Sequence, residues 1–307
     1  MNARIDLAIA IPQTFPGRPV DPRLIRRHLQ RAEALGFHSA WVVEQILGGI
    51  PSLEAVALLT WASAVTERMR LGSAVLLTAL RSPVHLAKSL ATLDHLSQGR
   101  LMVGVGLGGN AAVYPAYGLS GERRAARFAE GIRLIKALWT EPRTTFIGDF
   151  YKLDKASMEP KPLQKPHPPI WFGAHHPNAL RRTVELGDGF MGAGSLSTAK
   201  FAEEVKALRD LLQEAGRDPG AFPVGKRVYI AIDRDRQRAA KRLGEWFGAF
   251  YGRPQMAEEV SVWGSPDECV ERLREVAAAG ARLLMLNPVF DEMEHLEQFA
   301  SEIAPHL

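Results

Sequence analysis

Eight apolar runs of strand length recur along the 307 residues, each followed by sequence with helical periodicity. The runs are Ile5–Ile11, His38–Val43, Arg70–Leu77, Leu101–Gly106, Pro169–Gly173, Gly189–Gly192, Lys226–Ile232 and Ala281–Asn287. Most are apolar almost throughout, with little alternation, so both faces need cover, as in a parallel sheet sheathed by helices. Between the runs, Phe128, Ile132, Ile135 and Trp139 form one apolar stripe over Arg124–Trp139. Phe201, Val205, Leu208 and Leu212 repeat it before a stop at Gly216. Ser265-Pro266-Asp267-Glu268 reads as a capping box. Gly36, Gly187 and Gly280 stand between a helix and a strand, where a left-handed residue ends the helix. The alternation predicts an α/β chain, a single (β/α)8 TIM barrel over residues 1–307. A doubly wound open sheet is disfavoured, because Ile11-Pro12-Gln13-Thr14-Phe15-Pro16 after the first run carries no dinucleotide fingerprint. Two insertions interrupt the barrel, near 141–168 and 252–264. The first holds Pro142, Pro160, Pro162, Pro166 and Pro168 around Phe146, Phe150 and Tyr151, aromatics that need burial.

Composition narrows the classes. The chain is 46% hydrophobic and 23% charged, with 38 basic and 34 acidic residues scattered rather than clustered. That argues for a globular protein and against a nucleic-acid partner. The single cysteine, Cys269, excludes an internal disulfide and favours a reducing cytosol. Met1 to Ile11 lacks a signal peptide's long apolar middle, and the run around Leu71 to Leu80 is too short to span a bilayer. The expectation is a cytoplasmic protein with no membrane partner.

In a barrel the chemistry belongs at the C-terminal ends of the strands. The second run ends in Glu44-Gln45, and a carboxylate there either handles a proton or pairs with a nearby arginine. The third offers small residues at Gly72–Ala74, against which a flat ring could lie, then Arg81-Ser82-Pro83. After the fourth, Gly104-Val105-Gly106-Leu107-Gly108-Gly109-Asn110 strips side chains from the mouth and frees backbone amides. The fifth leads through Gly173-Ala174-His175-His176 to a helix opening at Asn178, a ready anion site. The sixth ends in Gly192-Ala193-Gly194-Ser195-Leu196-Ser197-Thr198, where Ser197 or Thr198 can cap a helix. No metal site is expected, since the ligand set is thin and no His-Glu-x-x-His occurs. No nucleophile elbow is present, and Cys269 falls in a helix. What remains is a glycine-lined mouth with an anion site, suited to a bound organic cofactor.

The stretch Leu71-Gly72-Ser73-Ala74-Val75, then Arg81-Ser82-Pro83-Val84 and Leu86-Ala87-Lys88, resembles the bacterial luciferase-like oxidoreductases. So does Ala91-Thr92-Leu93-Asp94-His95-Leu96-Ser97-Gln98-Gly99-Arg100-Leu101 leading into Gly104-Val105-Gly106. Weaker likeness runs from Pro168-Pro169-Ile170-Trp171-Phe172-Gly173 through Gly264-Ser265-Pro266 to Ala279-Gly280. Within the family the chain is most similar to the branch that uses the deazaflavin coenzyme F420 rather than FMN. The resemblance implies a (β/α)8 barrel with insertions and a ring lying against the third strand, at Ser73, Ala74 and Val75. A non-proline cis peptide is implied at Ala74–Val75. Gly106, Gly108, Gly109 and Asn110 would meet the ring or its ribityl chain. Gly173, Ala174, His175 and His176 would hold the phosphate, with Gly194 and Ser195 nearby. Many relatives place an acidic residue followed by histidine after the second strand. Here the pair is Glu44-Gln45, so Glu44 is the substitute proton-handling residue, with His176 behind it. Arg81, Arg123, Arg124, Lys165, Arg181 and Arg182 would complement an acidic cofactor tail, whereas Asp94 and Arg100 read as structural.

The implied function is hydride exchange between F420 and a small organic substrate. Two alternatives stay open: an FMN-dependent monooxygenase fed by a separate reductase, and a cofactor-binding protein without turnover. A homodimer is the family's default, and Trp246, Phe247, Phe250 and Tyr251 read as core or dimer contact rather than substrate pocket.

Overall fold

The protein was analysed as a computed structural model that describes residues 4–108 and 110–307. Among these the strands are β1 (Asp6–Ala10), β2 (Ser39–Val42), β3 (Arg70–Ser73), β4 (Leu76–Leu77), β5 (Leu101–Gly106), β6 (Thr144–Ile147) and β7 (Lys152–Ala156). Then follow β8 (Ile170–Phe172), β9 (Gly189–Gly192), β10 (Val224–Ile232), β11 (Ser261–Gly264) and β12 (Leu283–Asn287). Eight of them close a parallel barrel in the order β1, β2, β3, β5, β8, β9, β10, β12, with β12 returning to β1. Each of the eight apolar runs supplies one barrel strand.

The helices on the outside are α1 (Pro22–Ala34), α2 (Ala55–Val65), α3 (Pro83–Leu96), α4 (Arg124–Thr140) and α5 (Pro177–Leu186). The later ones are α6 (Thr198–Glu214), α7 (Arg236–Tyr251), α8 (Met256–Val260), α9 (Pro266–Ala278) and α10 (Glu292–Gln298). Their starts are chemically marked. Asp21, Ser82, His176 and Ser197 cap α1, α3, α5 and α6, and Ser265 with Glu268 completes the capping box of α9. The stripes on α4 and α6 are buried, as their spacing requires. Gly36 and Gly280 close helices with φ of +84° and +119°. Gly187 closes α5 without a left-handed turn: its φ is −98°. A Cβ there would stand 2.7 Å from the Thr183 carbonyl and 2.9 Å from the Phe172 ring, so space demands this glycine.

Three features depart from the expected layout. The third run is not one strand. It stops at Ser73, passes through a cis Ala74–Val75 peptide, and resumes as β4 against β5. The insertion at 141–168 contains the hairpin β6–β7, whose Phe146 and Leu153, with neighbouring Tyr151, pack on the core. The segment at 252–264 ends in β11, which extends the sheet beside the upper half of β10.

The barrel interior is filled by Ala8, Trp41, Met102, Trp171, Met191, Leu283 and Met285, with Trp41 and Trp171 edge-to-face at 5.8 Å. Gly72 serves this interior rather than a ligand, because a Cβ on it would lie 2.4 Å from the Trp41 ring. Arg100 and Asp94 are structural, as expected. The Arg100 guanidinium donates to Ser63 O, Thr66 O, Thr66 Oγ1, Met69 O and Ser97 O, and buried Asp94 accepts from Gln164.

Candidate active site

The break between β3 and β4 shapes one wall of the barrel mouth. Ser73 Oγ both accepts from Gly104 N and donates to Gly104 O, at 2.9 Å each, tying β3 to β5. The hydroxyl is thereby spent between strands, and Ser73 does not line the cavity above it. Two residues on, Val75 points between Gly106 and Gly173. A Cβ on Gly106 would come within 2.4 Å of Val75 Cγ2, and one on Gly173 within 3.1 Å of Cγ1.

Glu44 is a paired acid. Its side chain is 1% exposed and accepts from Leu77 N, Arg81 Nε and Arg81 Nη2. Arg81 also reaches Glu54, which caps α2. Burial alone would lower the Arg81 pKa, but the two carboxylates hold it above its ordinary value. The arginine partner that the sequence left level with a proton-handling role is therefore present. Gln45 turns its amide over Gly48 and leaves Oε1 buried without a hydrogen-bond partner. Neither Glu44 nor Gln45 lines either cavity of the mouth.

The larger cavity, about 610 Å³, runs from this wall to the N-terminus of α5. Of the expected residues, Ala74, Val75, Gly106, Gly108, Gly173, Ala174, His175, His176, Gly194 and Ser195 line it. Asn110 does not: its Oδ1 accepts from Ala112 N and caps the following turn. Gly109 lies outside the described residues. His176 Nδ1 accepts from Asn178 N at 3.2 Å, which leaves the opposite ring edge exposed at the cavity. His175 Nδ1 meets Glu204 Oε1 at 3.0 Å, and Glu204 Oε2 is buried without a partner. Behind them, buried Lys226 donates to Leu196 O at 3.0 Å and to Ala193 O, pinning the loop after β9. Desolvation pushes its pKa down to about 7, against the pull of Glu204.

Of the six basic residues expected around an acidic tail, Arg124 and Arg182 line the cavity. Arg182 has a buried Nε without a hydrogen-bond partner, and desolvation lowers its pKa. The other four are engaged elsewhere: Arg81 with Glu44, Arg123 with Asp149, Lys165 with Pro162 O and Arg181 with Asn178.

A second, narrow cleft of about 40 Å³ opens at the ends of β1, β10 and β12, lined by Gln13, Trp41, Arg227, Trp246, Phe250 and Asn287 among others. Here the aromatic cluster departs from expectation. Phe247 is core, but the Trp246 and Phe250 rings, stacked at 4.7 Å, face this cleft, and Tyr251 lines the larger cavity with its hydroxyl 2.6 Å from Tyr229 Oη. Arg227 escaped the sequence reading, and Tyr251 was expected only as core or dimer contact. An arginine inside an otherwise apolar run was the available signal for the first.

A family model described as luciferase-like monooxygenase matches residues 7–261. The chain belongs to the luciferase-like monooxygenase family. It is similar to the F420-dependent glucose-6-phosphate dehydrogenase of Nakamurella multipartita, 30% identical over 312 residues with 90% of each chain covered. The enzyme of the same name from Beutenbergia cavernae is 30% identical over 321 residues, covering 93% of this chain and 94% of that one. An F420-dependent secondary alcohol dehydrogenase, solved with an F420–acetone adduct, superposes with a TM-score of 0.85 at 20% identity over 98% of both chains. The coenzyme F420-dependent tetrahydromethanopterin reductase of Methanopyrus kandleri gives 0.79 at 21% identity over 99% of both. These structures establish the fold that this family member shares. Among its described residues no helix is long and apolar enough to cross a membrane.

Proposed function

We propose that this luciferase-like protein is an oxidoreductase that binds coenzyme F420 and exchanges a hydride with a small organic substrate. The observation that carries the reading is the larger cavity. It joins a backbone wall free of bulky side chains, at Ala74, Val75, Gly106 and Gly108, to a basic end at His175, His176, Arg124 and Arg182. A flat ring suits the first end and a phosphate the second, where the amides at the start of α5 add their dipoles. The buried Nε of Arg182, without a partner of its own, fits an anion there. When bound, F420 supplies the hydride donor or acceptor.

The chain's own residues then divide the work. Ala74, Val75, Gly106 and Gly108 support the ring, with Ser73 and Asn110 shaping their backbone. Gly173, Ala174, His175 and His176 hold the phosphate, with Gly194 and Ser195 closing the side that Lys226 braces. Glu44 fixes the backbone after the break through Leu77 and Arg81, and Gln45 packs beside it. His176 is the proton-handling candidate, because its free ring edge borders the cavity while the Glu44 carboxylate is enclosed.

The same proposal includes a cytoplasmic enzyme, consistent with a free buried Cys269, and a separate reductase that renews reduced cofactor. It also includes a homodimer. The outer faces of α2 and α3 border an open groove at Val56, Ala57, Thr60, Trp61 and His85 that a second copy would cover. The test is titration of the purified protein with F420 and with FMN, followed by fluorescence. F420 binding in the micromolar range or tighter is expected. Tight FMN binding without F420 binding would overturn the reading in favour of a flavin monooxygenase.

A further inference from the structure

We propose that the substrate carries an anionic group, a carboxylate or a phosphate, and that Arg227 receives it. The inference rests on the F420 reading above and adds to it the charge of the second reactant. Arg227 lies on β10 and borders both the large cavity and the narrow cleft, so it stands where cofactor space and the remaining mouth meet. Its Nε donates to Asn287 Oδ1 at 2.7 Å, and buried Asn287 is itself held by Nδ2 donating to Pro288 O at 3.2 Å. The guanidinium carbon sits 4.6 Å from the centre of the buried Tyr229 ring. These two contacts fix the plane of the fork, whose charge also acts on the Tyr229 hydroxyl beneath it.

The charge is not balanced by the protein. Among the described residues no carboxylate lies within ion-pair distance of Arg227. Glu292, which lines the same cleft, pairs with Arg18. Next along the strand, Lys226 is turned away to the Ala193 and Leu196 carbonyls, so Arg227 alone presents its charge to the two cavities. A half-buried guanidinium held rigid beside a cavity, without a counter-ion, is arranged to take a planar or tetrahedral oxyanion through two parallel N–H···O bonds. The stacked Trp246 and Phe250 rings flank that position and offer the rest of the substrate a flat apolar surface.

The test is calorimetric titration of F420-loaded wild type, R227M and R227K with benzoate, benzamide and inorganic phosphate. Wild type is expected to prefer benzoate to benzamide, or to bind phosphate, and whichever anion binds better identifies the group. R227M is expected to lose at least tenfold in anion affinity with benzamide unchanged, and R227K to recover part of the loss. Equal anion affinity in wild type and R227M, or wild type that neither prefers benzoate to benzamide nor binds phosphate, overturns the proposal. A tenfold loss of F420 affinity in R227M also overturns it, by assigning the arginine to the cofactor. Failure of wild type to take up F420 refutes the cofactor reading instead, which separates the two ideas.

Discussion

Replacing Arg81 by methionine tests whether the ion pair beneath the broken third strand holds that wall in place. Glu44 is 1% exposed and accepts three hydrogen bonds, two of them from Arg81. Methionine keeps the apolar stem and removes the charge, leaving a carboxylate enclosed with only Leu77 N–H. Breaking a buried pair in this way costs about 3–5 kcal/mol, and the lower end, about 3 kcal/mol, applies because solvent reaches the rim. Arg81 is 22% exposed. For a chain of this size that is a fall of about 5 °C in Tm. The loss has a pH signature. An enclosed, unpaired Glu44 would have its folded-state pKa raised above the unfolded value of about 4.3. The penalty is then absent below that value, where the group is protonated in both states, grows as pH rises from there to the folded-state pKa, and is constant above it. Urea unfolding followed by circular dichroism at pH 5 and pH 8 reads it directly. The double variant E44Q/R81M is expected to regain most of the stability at pH 8. A loss under about 0.5 kcal/mol at pH 8, or one that E44Q does not relieve, would refute the reasoning.

Two further outcomes follow from single groups. His28 is buried with both ring nitrogens unpartnered, and desolvation pushes its pKa down to about 3. A base whose folded-state pKa is lowered weakens the fold as pH falls from about 6.5 toward 3, at roughly 1 kcal/mol per pH unit. H28L should therefore match wild type at pH 7 and show a shallower loss between pH 6 and 4 in thermal unfolding; an unchanged slope would contradict the assignment. In the cavity, G106A places a methyl group 2.4 Å from Val75 Cγ2 and forces that side chain to move. F420 affinity by fluorescence titration should drop about tenfold, roughly 1.4 kcal/mol, and V75A added to G106A should restore it; an unaffected single variant would show that Val75 does not shape the ring site.

The barrel and much of its mouth could be read before any coordinates, because the signals are local. A strand covered on both faces must be apolar nearly throughout, and a helix lying on it must carry a stripe every three or four residues. The same holds for the glycines and the helix start around Gly173–Asn178, where amides are free wherever such a helix begins. The tertiary structure decided everything that depends on a partner distant in sequence. Gly72 looked like room for a cofactor and proved to be room for Trp41. Glu44 could have been catalytic or paired, and only folding brings Arg81, 37 residues on, to its carboxylate. Gly187 ends α5 as its position suggested, but as a spacer against Phe172 rather than by a left-handed turn. Arg227 looked like part of a strand until the ends of β10 and β12 set it between two cavities with Asn287 behind it. Periodicity along the chain records which face of an element is buried. It holds no record of which charge another charge will meet, because that is set by distance across the closed barrel.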